Sequence, residues 1–408
     1  MLFSHIKSFQ PINQASTESS VYPKFTSVEK ESKILLVGML DSPHFQKWLR
    51  IVQQEFPSRD LFIFPSDRPK LYEAYLKHHK ENFSSKTKIF KLIPNIKFNF
   101  ALYYLFDLTI GPKWRSYCLA RYIIKYRPGV IHFHEMQHGA YLFNSVANYK
   151  KIPKNSRKII STWGSDLTLY SWVDEHILQI RSCFTWVDIL TAEKKNELND
   201  ASKLGFKGKF IAPVYINLGQ TSMRNSKFII PSERKVILIK GHQSDTGRAL
   251  NVLHVISTIS SQLKNFEIIV YSASTPTKIQ VDLLRNKNEI DIKIMPKVRY
   301  SEMYKIFEKA RVSISLAVSD GLPGVLVEAM TAGAFPIQSK NSAGGEFLIA
   351  GKSGFLVDPW DLSGIKKAII SAVKNDYLVD SAADLNKKTL EKKYSLNRNK
   401  QVLKQLYL

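Results

Sequence analysis

A recurring pattern constrains this chain above all else: a short uninterrupted apolar run, a loop, and an amphipathic stretch. ILLVGML (Ile34–Leu40) opens the pattern, followed by the loop DSPHF and the helical QKWLRIVQQEF. A strand that is apolar at every position has both faces buried, as in a parallel sheet covered by helices on either side. The signature returns in LFIFP (Leu61–Pro65), VIHFH (Val130–His134), KIISTW (Lys158–Trp163), DILTA (Asp188–Ala192) and KFIAPV (Lys209–Val214). After the polar segment Gln220–Ser232 a second series begins, with KVILIKG (Lys235–Gly241), EIIVYSA (Glu267–Ala273), IKIMP (Ile292–Pro296), VSISLAV (Val312–Val318), FPIQS (Phe335–Ser339) and GFLV (Gly354–Val357). Strands alternating with helices in two series predict an α/β protein of two doubly wound, Rossmann-like domains. Ligands of such folds gather beyond the carboxyl ends of the strands, so the cleft between the domains is the expected site.

The expected organisation is a loosely ordered arm over 1–30, rich in Ser, Gln, Asn and Thr, a first domain over 31–224, a second over 225–390, and a terminal helix over 391–408. A length of 408 residues suits two domains, and 44% hydrophobic residues exclude wholesale disorder or a fibrous repeat. Cys118 and Cys183 are too few for a disulfide framework or a four-cysteine zinc site, which predicts a reducing compartment. The start, MLFSHIKSFQPINQ, lacks the continuous apolar core of an export signal. The most apolar long stretch, Phe98–Ile110, falls short of the roughly 20 residues a helix needs to cross a bilayer. The expected location is cytoplasmic, with a peripheral position at the inner face of the membrane as a refinement that rests on charge.

The segment richest in chemistry is VSISLAVSDGLPGVLVEAMTAGAFPIQS, Val312–Ser339. A buried strand ends at Ser319, Asp320 follows, and a Gly-Leu-Pro-Gly turn opens a helix that carries Glu328. Strand, tight turn and helix start form an anion site, because free N–H groups and the positive end of the helix dipole face one point. Gly321 and Gly324 let the backbone approach a ligand closely, and Leu322, Gly324 and Val325 have an N–H to donate where Pro323 has none. Both carboxylates can address one ligand lying there, Asp320 near its anionic centre and Glu328, about two turns on, where a carboxylate suits paired hydroxyls. The plainer alternative makes Asp320 a helix cap and Glu328 an ordinary helix residue.

The Asp320 to Glu328 spacing, the run EAMTAGAFPIQS and the later GKSGFLVDPWD (Gly351–Asp361) together resemble the donor-site signature of the retaining glycosyltransferases of family 4, which have the GT-B fold. The resemblance is strongest over Lys235–Asp361 and thinner over Ile34–Gly219. It implies transfer of a sugar from a nucleotide diphosphate, uridine favoured, to a hydroxyl of a glycan or lipid-linked acceptor with retention, in surface polysaccharide or glycoconjugate assembly. It also implies no metal, no further cofactor, and a terminal helix that crosses back to the first domain. By the same resemblance Asp320 holds the sugar and Glu328 the ribose, although the family has Glu at the first position. The family's cationic pair falls in KGHQSDTGR (Lys240–Arg248), where His242 and Thr246 replace Arg and Lys. Lys240 and Arg248 are the nearby cations that stand to replace them in stabilising leaving-group charge.

VIHFHEMQHGAYL (Val130–Leu142) resembles the family's His-x-His stretch, which makes His134 an expected catalytic residue. Strand alternation sends His132 to the same face, and no further ligand spacing completes a zinc site with these histidines. TWGSDLTLY (Thr162–Tyr170) resembles the family's His-Gly-Ser-Asp segment with Trp163 in place of His; Gly164 is expected to admit a ligand, and Asp166 either caps the next helix or binds acceptor hydroxyls. Asp41 and His44, in the first loop, are further acceptor-side candidates, without the glycines usual in the family.

The chain carries a formal net charge of +24. Between Lys77 and Gly164 there are 16 Lys or Arg against Glu81, Asp107 and Glu135, interleaved with aromatics such as Phe83, Phe90, Phe98, Tyr103 and Trp114. With the 66–127 region, this basic and aromatic stretch suits an anionic membrane surface or single-stranded nucleic acid, the plainer alternative being a solvated rim around an ordinary aromatic core, and the donor-site resemblance implies the membrane as partner. Nucleic acid is not expected, since no RNA-binding or helix-turn-helix pattern accompanies the charge. The competing functions are a GT-B nucleotide-sugar epimerase, a donor sensor without turnover, and a non-catalytic basic scaffold indifferent to Asp320 and Glu328.

Overall fold

The computed structural model describes residues 33–66, 83–90, 109, 111–147, 150–215, 228–288, 290–394 and 396–408. The arm over 1–30 and most of the 66–127 region, including Lys91–Lys97 and the aromatics from Phe98 to Phe106, lie outside these residues.

Two parallel sheets organise the chain. The first contains β1 (Ile34–Gly38), β2 (Leu61–Pro65), β3 (Thr87–Ile89), β4 (Val130–His134), β5 (Arg157–Ser161), β6 (Ile189–Thr191) and β7 (Lys209–Ile211), in the order β3-β2-β1-β4-β5-β6-β7. The second contains β8 (Val236–Lys240), β9 (Glu267–Tyr271), β10 (Ile292–Ile294), β11 (Ala310–Ser315), β12 (Phe335–Ser339) and β13 (Phe355–Val357), in the order β10-β9-β8-β11-β12-β13. Each order reverses beside its first strand, between β1 and β4 and between β8 and β11, and such switch points open a crevice at the strand ends. The apolar runs became these strands because both their faces are covered: β1, β2, β4, β11 and β12 are buried at every position. β3 had no such run. Its TKI is only partly buried at the sheet edge, so it carries no apolar signature to read.

The terminal helix, Leu396–Tyr407, packs on the first domain. Tyr407 is wholly buried there; its hydroxyl accepts from the Trp48 indole N–H at 2.9 Å and lies 2.6 Å from His132 Nδ1. His132 Nε2 is 2.7 Å from Ser161 Oγ, which is 2.7 Å from Thr191 Oγ1. All four contacts are satisfied when Tyr407 donates to Nδ1, Nε2–H donates to Ser161 and Ser161 donates to Thr191, and burial holds His132 neutral by pushing its pKa well down, with His134 adding to the push. Arg59 donates to the Tyr407 carbonyl at 3.1 Å, Arg157 donates to the Leu406 carbonyl at 3.0 Å, and Lys400 pairs with Glu55 at 2.8 Å.

Part of the basic stretch is therefore internal. Arg157 is buried under the terminal helix, Arg115 donates to the Ser66 carbonyl at 2.7 Å, and Lys158 bonds the Ser156 carbonyl at 2.9 Å. Phe83, Phe90 and Trp114 pack against the core. No helix among the described residues is long and apolar enough to cross a membrane.

Candidate active site

A cavity of about 270 Å³ lies between the domains, at the carboxyl ends of β1, β4, β5, β6 and β11. The first domain contributes His44, Glu135, His138, Gly164, Asp166, Tyr170 and Glu193 among others, and the second contributes Asp320, Gly321 and Leu322.

The cavity has a pinched wall, and the pinch needs two glycines. A Cβ on Gly164 would fall on the backbone of Asp320 and Gly321, and a Cβ on Gly321 would fall on the Glu193 carboxylate. Beside them Thr168 Oγ1 lies 2.6 Å from Ser319 Oγ, and Ser319 donates to the Gly164 carbonyl at 3.0 Å. The close approach at Gly164 is thus to the other domain's backbone, where the sequence predicted a ligand. Glu193 accepts the Leu322 N–H at 2.7 Å, so one of the three N–H groups expected for the donor is occupied by a carboxylate of the first domain. The helix Gly324–Ala332 still starts with Gly324 and Val325 and no side-chain cap, so the plainer expectation that Asp320 caps it fails.

Asp320 shows part of its surface to the cavity. Enough protein surrounds it that burial pushes its pKa up, opposed by Lys240, by the Gly321 N–H that its carboxylate accepts, and by Lys194 and His242. His44 is exposed by surface area, yet its imidazole is pushed down to about 4, first by desolvation, then by Lys47 and Lys240. Crowding at the helix start, where the ring meets Trp163 edge-on at 5.7 Å, accounts for the desolvation. Lys47, one turn further along the same helix, is held below the ordinary ammonium range by burial, against the pull of Glu328 and with the push of Arg50. Glu328 acts on Tyr271 as well as on Lys47, which puts its carboxylate at the cleft side of its half-exposed helix position. Lys240 and Lys47, one from each domain, are the cations within electrostatic reach of His44.

Arg248 does not join them. Its guanidinium donates to the carbonyls of Ser244 at 2.9 Å, Gly247 at 2.7 Å and Asp245 at 3.0 Å, and lies 4.4 Å from the centre of the Trp360 ring. Three of these bonds staple Arg248 to its own loop, and its buried Nε–H has no hydrogen-bond partner among the described residues.

His134 is a second correction. Its ring has no exposed surface, neither nitrogen has a hydrogen-bond partner among the described residues, and it is packed among His132 at 4.2 Å, Phe45 at 5.0 Å and Trp48 at 5.3 Å. Burial pushes its pKa down to about 3. The side chains after it reach the cavity instead. Glu135 turns the chain in the left-handed region at φ 68°, and its carboxylate accepts from the His138 N–H at 2.6 Å and lies 2.8 Å from His138 Nδ1. A non-glycine residue held there costs of the order of 1–3 kcal/mol, and such strain clusters at functional sites. Asp166 caps no helix: one of its oxygens accepts from the N–H groups of Trp163 at 2.8 Å and Met136 at 3.2 Å, joining the β4 and β5 loops. Burial, with Glu135 next, pushes its pKa well up. Asp41 is exposed outside the cavity wall.

Sequence reasoning missed Glu193, Lys194 and Lys47. The first two follow β6 directly, so the strand-end rule applied to DILTA would have found them; Lys47 sat inside an amphipathic helix with no local signal. Among the described residues no group of three or more His, Cys, Asp or Glu is placed to hold a metal ion.

Residues 223–392 match the family model described as glycosyl transferases group 1. No curated protein matches this chain significantly. Among solved structures, TarM, from S. aureus, superposes with a TM-score of 0.70 at 12% identity over 92% of this chain and 98% of that one. Anabaena HepE, in complex with UDP and glucose, gives 0.67 at 11% identity, covering 92% of this chain and 99% of its own. Sucrose-phosphate synthase from Thermosynechococcus elongatus gives 0.67 at 12%, covering 92% and 98%. These likenesses show the fold: two Rossmann-like domains facing across a cleft, the GT-B architecture.

Proposed function

We propose that the protein is a retaining glycosyltransferase that moves a sugar from a nucleotide diphosphate, UDP favoured, to a hydroxyl of a glycan or lipid-linked acceptor in surface polysaccharide or glycoconjugate assembly. The observation that carries this reading is Asp320: a carboxylate facing the interdomain cavity at the end of β11, followed by a tight turn and an uncapped helix start that leads to Glu328. The match of residues 223–392 to the group 1 model supports it, as do HepE, solved with UDP and glucose, and the S. aureus TarM variant, solved with UDP and alpha-GlcNAc-glycerol.

In this reading Glu328 receives the ribose hydroxyls, and the diphosphate lies at the helix start against the N–H groups of Gly324 and Val325. Gly321 and Leu322 line the sugar's end of the site. Lys240 and Lys47 take the charge that develops on the leaving diphosphate, so both domains hold the donor. Asp320 positions the transferred sugar. The bond from the anomeric carbon to the β-phosphate oxygen breaks, the bond to the acceptor oxygen forms on the same face, and the acceptor's proton leaves with the diphosphate. No metal or further cofactor is assigned a part. The basic stretch from Lys77 to Gly164, where its cations are not used internally, supports a peripheral position at the inner face of an anionic membrane.

The deciding experiment is calorimetric titration of UDP, GDP and CMP into wild type and Glu328→Ala. Saturable binding of UDP that the variant loses is expected. No binding of any of the three would leave the basic-scaffold reading in its place.

A further inference from the structure

A second and larger cavity, about 550 Å³, lies beyond the Thr168–Ser319 contact, again with one wall from each domain. Trp172, Lys194 and Asn196 line it on the first domain; Lys340, Asn341 and Glu346 line it on the second. Trp172 is 83% exposed, an indole held on a short turn at the rim with none of the described residues packed over it. Both lysines are already answered, Lys194 by Glu197 at 3.5 Å and Lys340 by Asp358 at 2.8 Å. The cavity therefore offers an aromatic face, two side-chain amides and a carboxylate, without surplus positive charge.

That combination suits a neutral polyhydroxyl ligand better than an anion. Amides present both donors and acceptors and a carboxylate accepts from paired hydroxyls, while a flat, rigid aromatic supplies contact area at low entropic cost. A pyranose has one face of C–H groups and an edge of hydroxyls, which matches an indole flanked by amides. Val318 lines this cavity and Asp320 the smaller one, and two residues of chain span at most about 7 Å. The two cavities are thus halves of one cleft, parted at the Thr168–Ser319 contact.

We propose that the Trp172 cavity is an acceptor subsite that seats a neutral sugar unit face-on against the indole, one position away from the hydroxyl that receives the transferred sugar. The proposal rests on the glycosyltransferase reading and adds the acceptor's chemical class: a saccharide of neutral sugars, at least two units long.

The test is binding of wild type, Trp172→Ala and Trp172→Tyr to an array of immobilised neutral and uronate-containing oligosaccharides, with UDP titrated into each protein in parallel. Neutral oligosaccharides of two or more units should bind wild type, about tenfold more weakly bind Trp172→Ala, and bind Trp172→Tyr within about threefold of wild type, with UDP affinity equal in all three. Because the indole is exposed, folding should not change, and equal melting temperatures would verify this. Saccharide binding undiminished in Trp172→Ala, or no saccharide bound by a protein that binds UDP, overturns the subsite. Saccharide binding that depends on Trp172 in a protein that binds no nucleotide keeps the subsite and removes the donor reading instead. A Trp172→Ala variant that loses only its binding to phosphatidylglycerol vesicles makes the indole a membrane anchor and overturns the proposal.

Discussion

β4 and β11 each deliver polar residues to the carboxyl edge of a parallel sheet, beside the same cleft, and they use them in opposite ways. β4 ends in His134, which is sealed among Phe45, Trp48 and His132. β11 leads to Asp320, which stands on the wall of the interdomain cavity. The difference lies in the residues just beyond each strand. After His134 the chain turns at Glu135, folds a wide turn over Met136–Ala140 and covers the strand end, while the Pro43–Glu55 helix closes the other side. After β11 the chain runs through Ser319 to two glycines that carry no side chain to cover the carboxylate. These two strand ends differ in reaching the cavity according to whether the next residues leave them open, and the position of a polar residue on the strand does not decide this.

The comparison breaks most easily at Asp320. Asp320→Asn keeps shape and removes charge, and should lower the transfer rate by about 10²–10³-fold with melting temperature little changed, as loss of a preorganised electrostatic group does. A smaller effect is expected from Gly164→Ala, whose methyl would strike the Asp320–Gly321 backbone. Transfer should fall by about 10²-fold, since misplacement of about 1 Å is enough, while small-angle scattering shows a wider particle. Unchanged scattering and activity would mean that the closed contact is not the working one.

His134→Phe sharpens the other side. In the folded protein the ring's pKa is depressed to about 3, below the unfolded value, so the neutral ring's full contribution is present above about pH 6.5 and is lost as pH falls towards 3. At pH 5 the cost is about 2 kcal/mol, from roughly 1.5 pH units at 1.36 kcal/mol each. His134→Phe should make the fall in melting temperature between pH 6.5 and 5 shallower, with His132 and His44 keeping the remainder, and leave nucleotide binding intact. A variant that melts like wild type but no longer transfers sugar would return His134 to the catalytic residues. The smallest effect separates two cations: Lys240→Gln should weaken UDP binding by about tenfold and Arg248→Gln should leave it within twofold, because a charge-assisted phosphate contact contributes about 1.5 kcal/mol and the Arg248 guanidinium is bonded to its own loop. Equal losses in the two variants would put Arg248 back among the phosphate ligands.

The strands were legible because burial on both faces leaves an uninterrupted apolar run; LFIFP, VIHFH and FPIQS coincide with β2, β4 and β12 residue for residue. β3 escaped because an edge strand needs no such run. The Asp320 turn was legible because glycine and proline set backbone geometry locally. The surroundings of His134 were not, because they are set by Trp48 and Phe45, distant in sequence; those of Arg248 combine the distant Trp360 ring with carbonyls one to four residues away that only the folded loop turns towards it. Lys47 feels the charge of Glu328 only when two domains meet, and no short window along the chain contains both.

Tyr407 completes a hydrogen-bonded chain that begins at Trp48 and runs through His132 to Ser161 and Thr191. During synthesis the first domain leaves the ribosome long before residue 407 is made. Until then the buried nitrogen of His132 and the indole of Trp48 lack their partner, and Arg59 and Arg157 lack the carbonyls they bind. Growth from the amino end therefore cannot finish this protein one domain at a time: the nascent first domain waits, incompletely satisfied, for the Leu396–Tyr407 helix to arrive.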